Sequence, residues 1–230
     1  MRDPVDLGVK HGVVSSTRSP LVNPERSHLF KKKAISQVDL TDVIAHRWSG
    51  RAFDPERRVD RNTLIALLEA ARWAPSCYGD EPWRYIVWDR FEDHSNWQRA
   101  FDCLAEGNQS WARKAPLLMV AIADSLFERD DKANRWGAYD TGAASLSLTL
   151  EATVLGLMVH QMGGFDASRL QAAFRVPERY ACMAMIAIGY QLPAERIPPE
   201  LKERECAPRS RKPLSGRFFQ GTWGAALKTG

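Results

Sequence analysis

One domain of mixed class, α/β or α+β, is the architecture this sequence predicts, and three observations predict it. The 230 residues suffice to bury one sizeable core. Two apolar runs of strand length, 117–123 and 181–190, read as central strands, the first of them buried on both faces. Apolar residues at helical spacing over 63–73 and 136–156 supply helices to cover them.

Taken in order, residues 39–46 form a first short helix around Leu40, Val43 and Ile44. Leu64, Leu67, Leu68 and Ala71 then recur at i, i+3, i+4, i+7, with Asp60 or Asn62 as the cap and Pro75 as the stop. Residues 75–82 are irregular, because Gly79 is a turn residue and Pro82 disfavours helix at Glu81. A short strand follows at 83–89. Residues 91–106 are helical until Gly107 and Asn108 break them, and Trp111 begins another turn before Pro116. The polar stretch 124–135 reads as a surface excursion able to act as a lid. In the longest helix, 136–156, one stripe is Tyr139, Ala143, Leu146, Leu150 and Val154, and a second is Ala144, Leu148, Ala152 and Leu155. Two apolar faces mean burial on two sides, against the sheet and against another subunit. Strand 157–162, the turn at Gly163 and Gly164, and a helix over 167–174 capped by Asp166 precede the strand 181–190. Beyond Gln191 the chain is rich in proline and charge, with aromatics only at Phe218, Phe219 and Trp223.

The formal net charge of +4 does not belong to the folded body. Residues 1–38 hold seven basic and three acidic side chains, and the other 192 hold 25 of each. The excess sits on a mobile N-terminal arm, and residues 39–230 form the domain. Nucleic acid and membrane are therefore not expected partners, and no run approaches the 18 or so apolar residues of a span. The N-terminus lacks the apolar core of a signal peptide, so the expected location is the cytoplasm. There Cys77, Cys103, Cys182 and Cys206, which show no metal-ligand spacing, are free thiols. Cys182, Trp83 and Trp111 read as core.

The common catalytic templates are missing: no GxGxxG follows a strand, and there is no GxxxxGK[ST], GxSxG or HExxH. What remains is the segment His46-Arg47-Trp48-Ser49-Gly50-Arg51-Ala52-Phe53-Asp54. Arg47 and Arg51 are planar cationic forks suited to phosphate or carboxylate. Ser49 donates from hydroxyl and backbone, and Gly50 permits backbone angles that let the chain fold closely around a ligand. In isolation such a segment is equally a solvated basic turn over a packed Trp48. Scattered elsewhere are the loop 75–82, Asn108, the glycine pair and Arg209-Ser210-Arg211-Lys212-Pro213.

In their order and spacing, RWSGRAFD, ARWAPSCYGDEPWRYIV, EGNQSWARKAP, YDTGAASLSLTL, GLMVHQMGGFD, MIAIGY and PRSRKPL make the chain resemble the nitroreductase family of FMN-dependent oxidoreductases. The resemblance runs from about residue 39 to 223. It implies an α+β fold, a central, mostly antiparallel sheet flanked by helices, and an obligate homodimer with FMN at the subunit interface. The tail from about 191 would extend onto the partner. Arg47, Arg209 and Arg211 would meet the FMN phosphate, with Ser49 and the Trp48 backbone at the ribityl end. Arg51 would lie near the pyrimidine edge, where negative charge develops on reduction. Asn108 would bond the ring's polar rim, and Met162, Gly163 and Gly164 would bring backbone N–H groups to N5 and O4. Pro75, Ser76, Cys77 and Gly79 would come from the second subunit, Cys77 as a flavin neighbour and not as a redox thiol. Many relatives have Asn where Gly79 stands and Glu where Gly163 stands, so substrate orientation there is open.

The implied reaction is ping-pong hydride transfer from NADH or NADPH to a small-molecule acceptor such as a nitroaromatic, quinone or enone. No protein acid or base is assigned, and no metal. The same fold also serves flavin fragmentation, dehalogenation and azoline oxidation. A different class, a non-catalytic binding protein docking through the basic arm, rests on the localised charge alone.

Overall fold

The computed structural model describes residues 32–228, so residues 1–31 of the expected arm lie outside the described residues. Strands β1 (Trp83–Asp89), β2 (Leu117–Asp124), β3 (Met158–Met162) and β4 (Tyr180–Gly189) form one sheet in the order β1-β2-β4-β3. Each neighbouring pair is antiparallel, with Trp83 opposite Ala123, Leu117 opposite Ile188 and Met158 opposite Gly189. β2 is buried along its whole length, which explains its unbroken apolar run.

Period-two alternation sends side chains of the central strands to two cores. Leu118, Val120 and Ile122 join Met158, Met162 and Met185 on one face, beneath α3 (His94–Phe101), α4 (Glu106–Ala112) and α6 (Ala167–Phe174). Leu117, Met119 and Ala121 join Val159, Ile186 and Ile188 on the other, beneath α2 (Arg61–Arg72) and α5 (Gly137–Val154). The result is helix on sheet on helix, with Trp83 and Trp111 both in the core. Side-chain caps start three helices: Asp60 accepts from the Thr63 N–H, Asp93 from Asn96 and Asp166 from Arg169.

α5 buries Ala144, Leu148 and Ala152 of its second stripe, whereas Tyr139 and Leu146 of its first are exposed. Two of its buried hydroxyls are bonded: Ser145 pairs with the Tyr85 hydroxyl at 2.9 Å, and Thr149 donates to the Ser145 carbonyl at 2.7 Å. Gly156, at φ +81°, closes the turn after it.

Some expectations are corrected. Gly107 and Asn108 do not break a helix; they lie within α4, and the interruption falls between Phe101 and Glu106. Cys182 is half-buried, not fully enclosed, and burial raises its thiol pKa. The stretch after Asp124 is fastened rather than loose at its base. Phe127 and Asn134 are buried, and Arg179 holds Asp124 through two hydrogen bonds of 2.7 and 3.0 Å. A short helix α1 (Asp42–His46) precedes the sheet, and past β4 comes a further helix, α7 (Pro199–Cys206). Leu192, Ile197 and Leu201 pack on Ala52 of the same chain, so residues 191–206 are anchored at home.

Candidate functional site

The segment after α1 runs extended along the chain leaving β4: Leu192 N donates to Ala52 O, and Asp54 N to Tyr190 O, at 2.9 and 2.8 Å. Ala52 and Phe53 are buried and fix its direction, leaving Arg47 and Arg51 half-buried and Ser49 exposed. Gly50 is required here by space, not by backbone angle, since its φ is not positive. A Cβ on it would overlap the Met158 sulfur and lie 3.1 Å from Glu205 Oε2. The expectation of a special backbone conformation is corrected accordingly.

Glu205, on α7, is completely buried. It accepts from the backbone N–H of Arg51 at 2.9 Å and of Ala52 at 3.4 Å. Burial raises its pKa, and those two bonds together with Arg51 and Lys32 counteract the rise. Lys32 donates to the Arg204 and Glu205 carbonyls at the end of α7, at 3.0 and 3.1 Å, and its ammonium stands 4.5 Å from the Trp48 ring centroid.

Arg209 follows α7 and donates through Nη1 to the carbonyls of Lys32 (3.0 Å) and Ala45 (2.7 Å). Arg47, Arg209 and Arg211 are thus gathered from positions 160 residues apart and sense one another. The pKa values of Arg47 and Arg209 are lowered first by burial and then by mutual repulsion within this trio. Among the described residues none of the three forms a salt bridge, and Arg47 makes no side-chain hydrogen bond. Like charges held together without a counter-charge make a seat for an anion.

A second group lies where β3 ends. Asn108 donates through Nδ2 to the Gly164 carbonyl at 2.9 Å, and the Ala105 N–H donates to the same oxygen. A Cβ on Gly164 would come within 2.8 Å of that Asn108 nitrogen, whereas one on Gly163 would meet nothing within 4 Å. Asn108, Gly163 and Gly164 are therefore brought together, and Met162 beside them is buried. On the same face of β3, His160 shares its Nδ1 proton with the Gly50 carbonyl at 3.0 Å and packs against Trp111 at 4.5 Å. Burial, then Arg51, lowers its pKa to about 4 against the pull of the Gly50 bond, so the ring is neutral near pH 7.

The loop holding Pro75, Ser76, Cys77 and Gly79 is fastened elsewhere. Cys77 N donates to buried Asp140 on α5 at 2.9 Å, and Glu81 N to the Ser76 hydroxyl at 3.1 Å. Tyr78, Gly79 and Glu81 all adopt positive φ, so the loop is a tight, shaped turn. No hydrogen bond ties it to the arginines within one chain.

Lys32, His160 and Glu205 are the participants that sequence reasoning missed. His160 had a signal, a polar residue between Met158 and Met162 on one strand face. Glu205 had none, being one of several acids in a charged run.

The Nitroreductase family model matches residues 44–190. An uncharacterised 15.4 kDa protein from Mycolicibacterium smegmatis is 38% identical over 124 residues, covering 54% of this chain and 82% of its own length. YdgI of Bacillus subtilis, provisionally named an NAD(P)H nitroreductase, is 24% identical over 208 residues, 71% of this chain and 98% of that one. Among solved structures, an oxidoreductase containing FMN superposes with a TM-score of 0.77 at 31% identity, over 86% of this chain and 99% of that one. With the antiparallel sheet and the matched segment spanning α1 to β4, these likenesses settle the lineage: the chain belongs to the nitroreductase family.

Proposed function

We propose that this protein is an FMN-dependent oxidoreductase that takes reducing equivalents from NADH or NADPH. The observation carrying this reading is the gathering of Arg47, Arg209 and Arg211 with no acidic partner among the described residues. Two or more guanidinium groups suit a phosphate dianion, and the residues present fit the FMN phosphate. The flavin of the superposing oxidoreductase and the nicotinamide in YdgI's name support the choice of cofactor and donor.

The chemistry supplied by bound FMN is a hydride relay from NAD(P)H to a nitroaromatic, quinone or enone acceptor, the two substrates alternating in one slot. The chain's own residues bind and orient. Arg47, Arg209 and Arg211 hold the phosphate, and Ser49 with the Trp48 backbone holds the polar chain next to it. Arg51 adds positive charge at the polar end of the ring. The turn at Met162, Gly163 and Gly164, braced by Asn108, offers backbone N–H groups. The space left at Gly163 opens that side to a flat substrate. His160 is neutral above about pH 4, so it neither adds a cation nor delivers a proton near neutrality.

The loop at Pro75, Ser76, Cys77 and Gly79 completes the site from a second copy of the chain. The exposed α5 stripe of Tyr139 and Leu146 supports such a dimer. Purified protein should show flavin absorbance and bleach when NADH or NADPH is added without oxygen. Protein that stays colourless after incubation with FMN sinks the proposal.

A further inference from the structure

Three segments distant in sequence meet at one buried carboxylate. The segment carrying Arg47 and Arg51 presents two backbone N–H groups to Glu205, α7 supplies Glu205 itself, and Lys32 arrives from the N-terminal side. α7 has little else to hold it. Its eight residues, PELKEREC, are charge-rich, and the only apolar side chain it packs on the core is Leu201, one helical turn before Glu205 on the same face. A helix of this composition has no apolar stripe to fix its position. Its placement rests on Leu201, on the Glu205 bonds and on Lys32 at its last carbonyls.

The position of α7 matters because Arg209 and Arg211 follow directly after it. Arg47 repels both, so the trio does not gather unaided. Glu205 is a buried carboxylate on the helix that precedes Arg209 and Arg211, and its charge opposes Lys32 and Arg51. A buried carboxylate costs free energy unless bonded and compensated, and here the Arg51 and Ala52 N–H groups bond it while Lys32 and Arg51 oppose its charge. We propose that Glu205 is a positioning residue that fastens the end of α7 to the Arg51–Ala52 backbone, so that Arg209 and Arg211 stand beside Arg47 to clamp a phosphate group. Glu205 touches no ligand. It acts through the arginines, and Lys32 closes the same fastening from the other terminus.

This inference rests on the flavin reading, and riboflavin, which lacks the phosphate, separates it from a general loss of fold. In wild-type protein stripped of cofactor, FMN should bind more tightly than riboflavin. Glu205→Ala should weaken FMN binding at least about tenfold and riboflavin binding clearly less, since Arg209 and Arg211 serve the phosphate alone while the loosened Arg51 backbone affects both flavins. Glu205→Gln keeps one oxygen acceptor and should show a smaller loss. Lys32→Ala, less buried and safer for folding, should move FMN affinity in the same direction. Trypsin cleavage after Arg209 in cofactor-free protein, read by mass spectrometry, should be slow in wild type and faster in all three variants. Unchanged FMN affinity, equal losses for FMN and riboflavin, or unchanged cleavage after Arg209 each overturn the proposal. If wild type binds neither flavin, the functional reading falls, and the cleavage comparison still decides whether Glu205 fastens the tail.

Discussion

His160 and Gly50 are bonded to each other, and each makes a separate demand on its position. The folded-state pKa of His160 lies at about 4, below the ordinary 6.5. The unfolded chain therefore binds the extra proton first as pH falls. Stability tied to the neutral ring is complete above 6.5 and drains away as pH drops towards 4. Between pH 7 and pH 5 the loss is about 2 kcal/mol. Urea midpoints at the two pH values should show it, and His160→Asn should flatten the difference. Gly50→Ala should cost about 2 kcal/mol, because the new methyl collides with Met158 and crowds Trp48 and Glu205. Gly163→Ala, facing open space, should leave the melting temperature nearly unchanged. The arginines were legible only through the family resemblance, since an Arg-Trp-Ser-Gly-Arg segment or a basic tail in isolation reads as solvated surface. Glu205 was not legible, since burial of one acid among the four of 195–205 is decided by what packs on it and not by its neighbours in the chain.

Secondary structure that is stabilised by its own apolar pattern was the readable part. α2 and α5, with regular spacing, and the strands β1 and β2 fall within a residue or two of their expected bounds. α4 and α7 escaped for a common reason: each is held by polar bonds to distant segments. Asn108 in α4 bonds Gly164, and Glu205 in α7 bonds Arg51. Glycine and proline, read locally as breakers, are tolerated at helix starts, where Gly107 and Pro199 stand. The excursion at 125–135 depends on a third such bond set. Asp80 accepts from Glu128 N at 3.0 Å and from Asn134 Nδ2 at 3.1 Å, joining it to the loop that carries Cys77. Asp80→Ala strands the buried Asn134 amide and should cost about 1–2 kcal/mol. Hydrogen exchange should quicken at 125–135 and not in β2 or β4.

At the scale of the whole molecule, the fold leaves one face of its longest helix uncovered, with Tyr139 74% and Leu146 49% exposed. A second copy would bury both, and Leu146→Glu should then shift sedimentation from dimer to monomer and lower FMN retention with it. A monomeric wild type that retains FMN would contradict that expectation. The same molecular view explains why no window of the sequence displayed the arginine cluster. Arg209 reaches the Lys32 and Ala45 carbonyls only after the chain between them has folded into the sheet. On the ribosome this ordering has a further effect. The strands β1 to β4 leave the ribosome before Arg209 and Arg211, so the proposed phosphate contacts form after the scaffold. A product clipped before Arg209 would keep that scaffold and lose two of the three arginines proposed for the flavin phosphate.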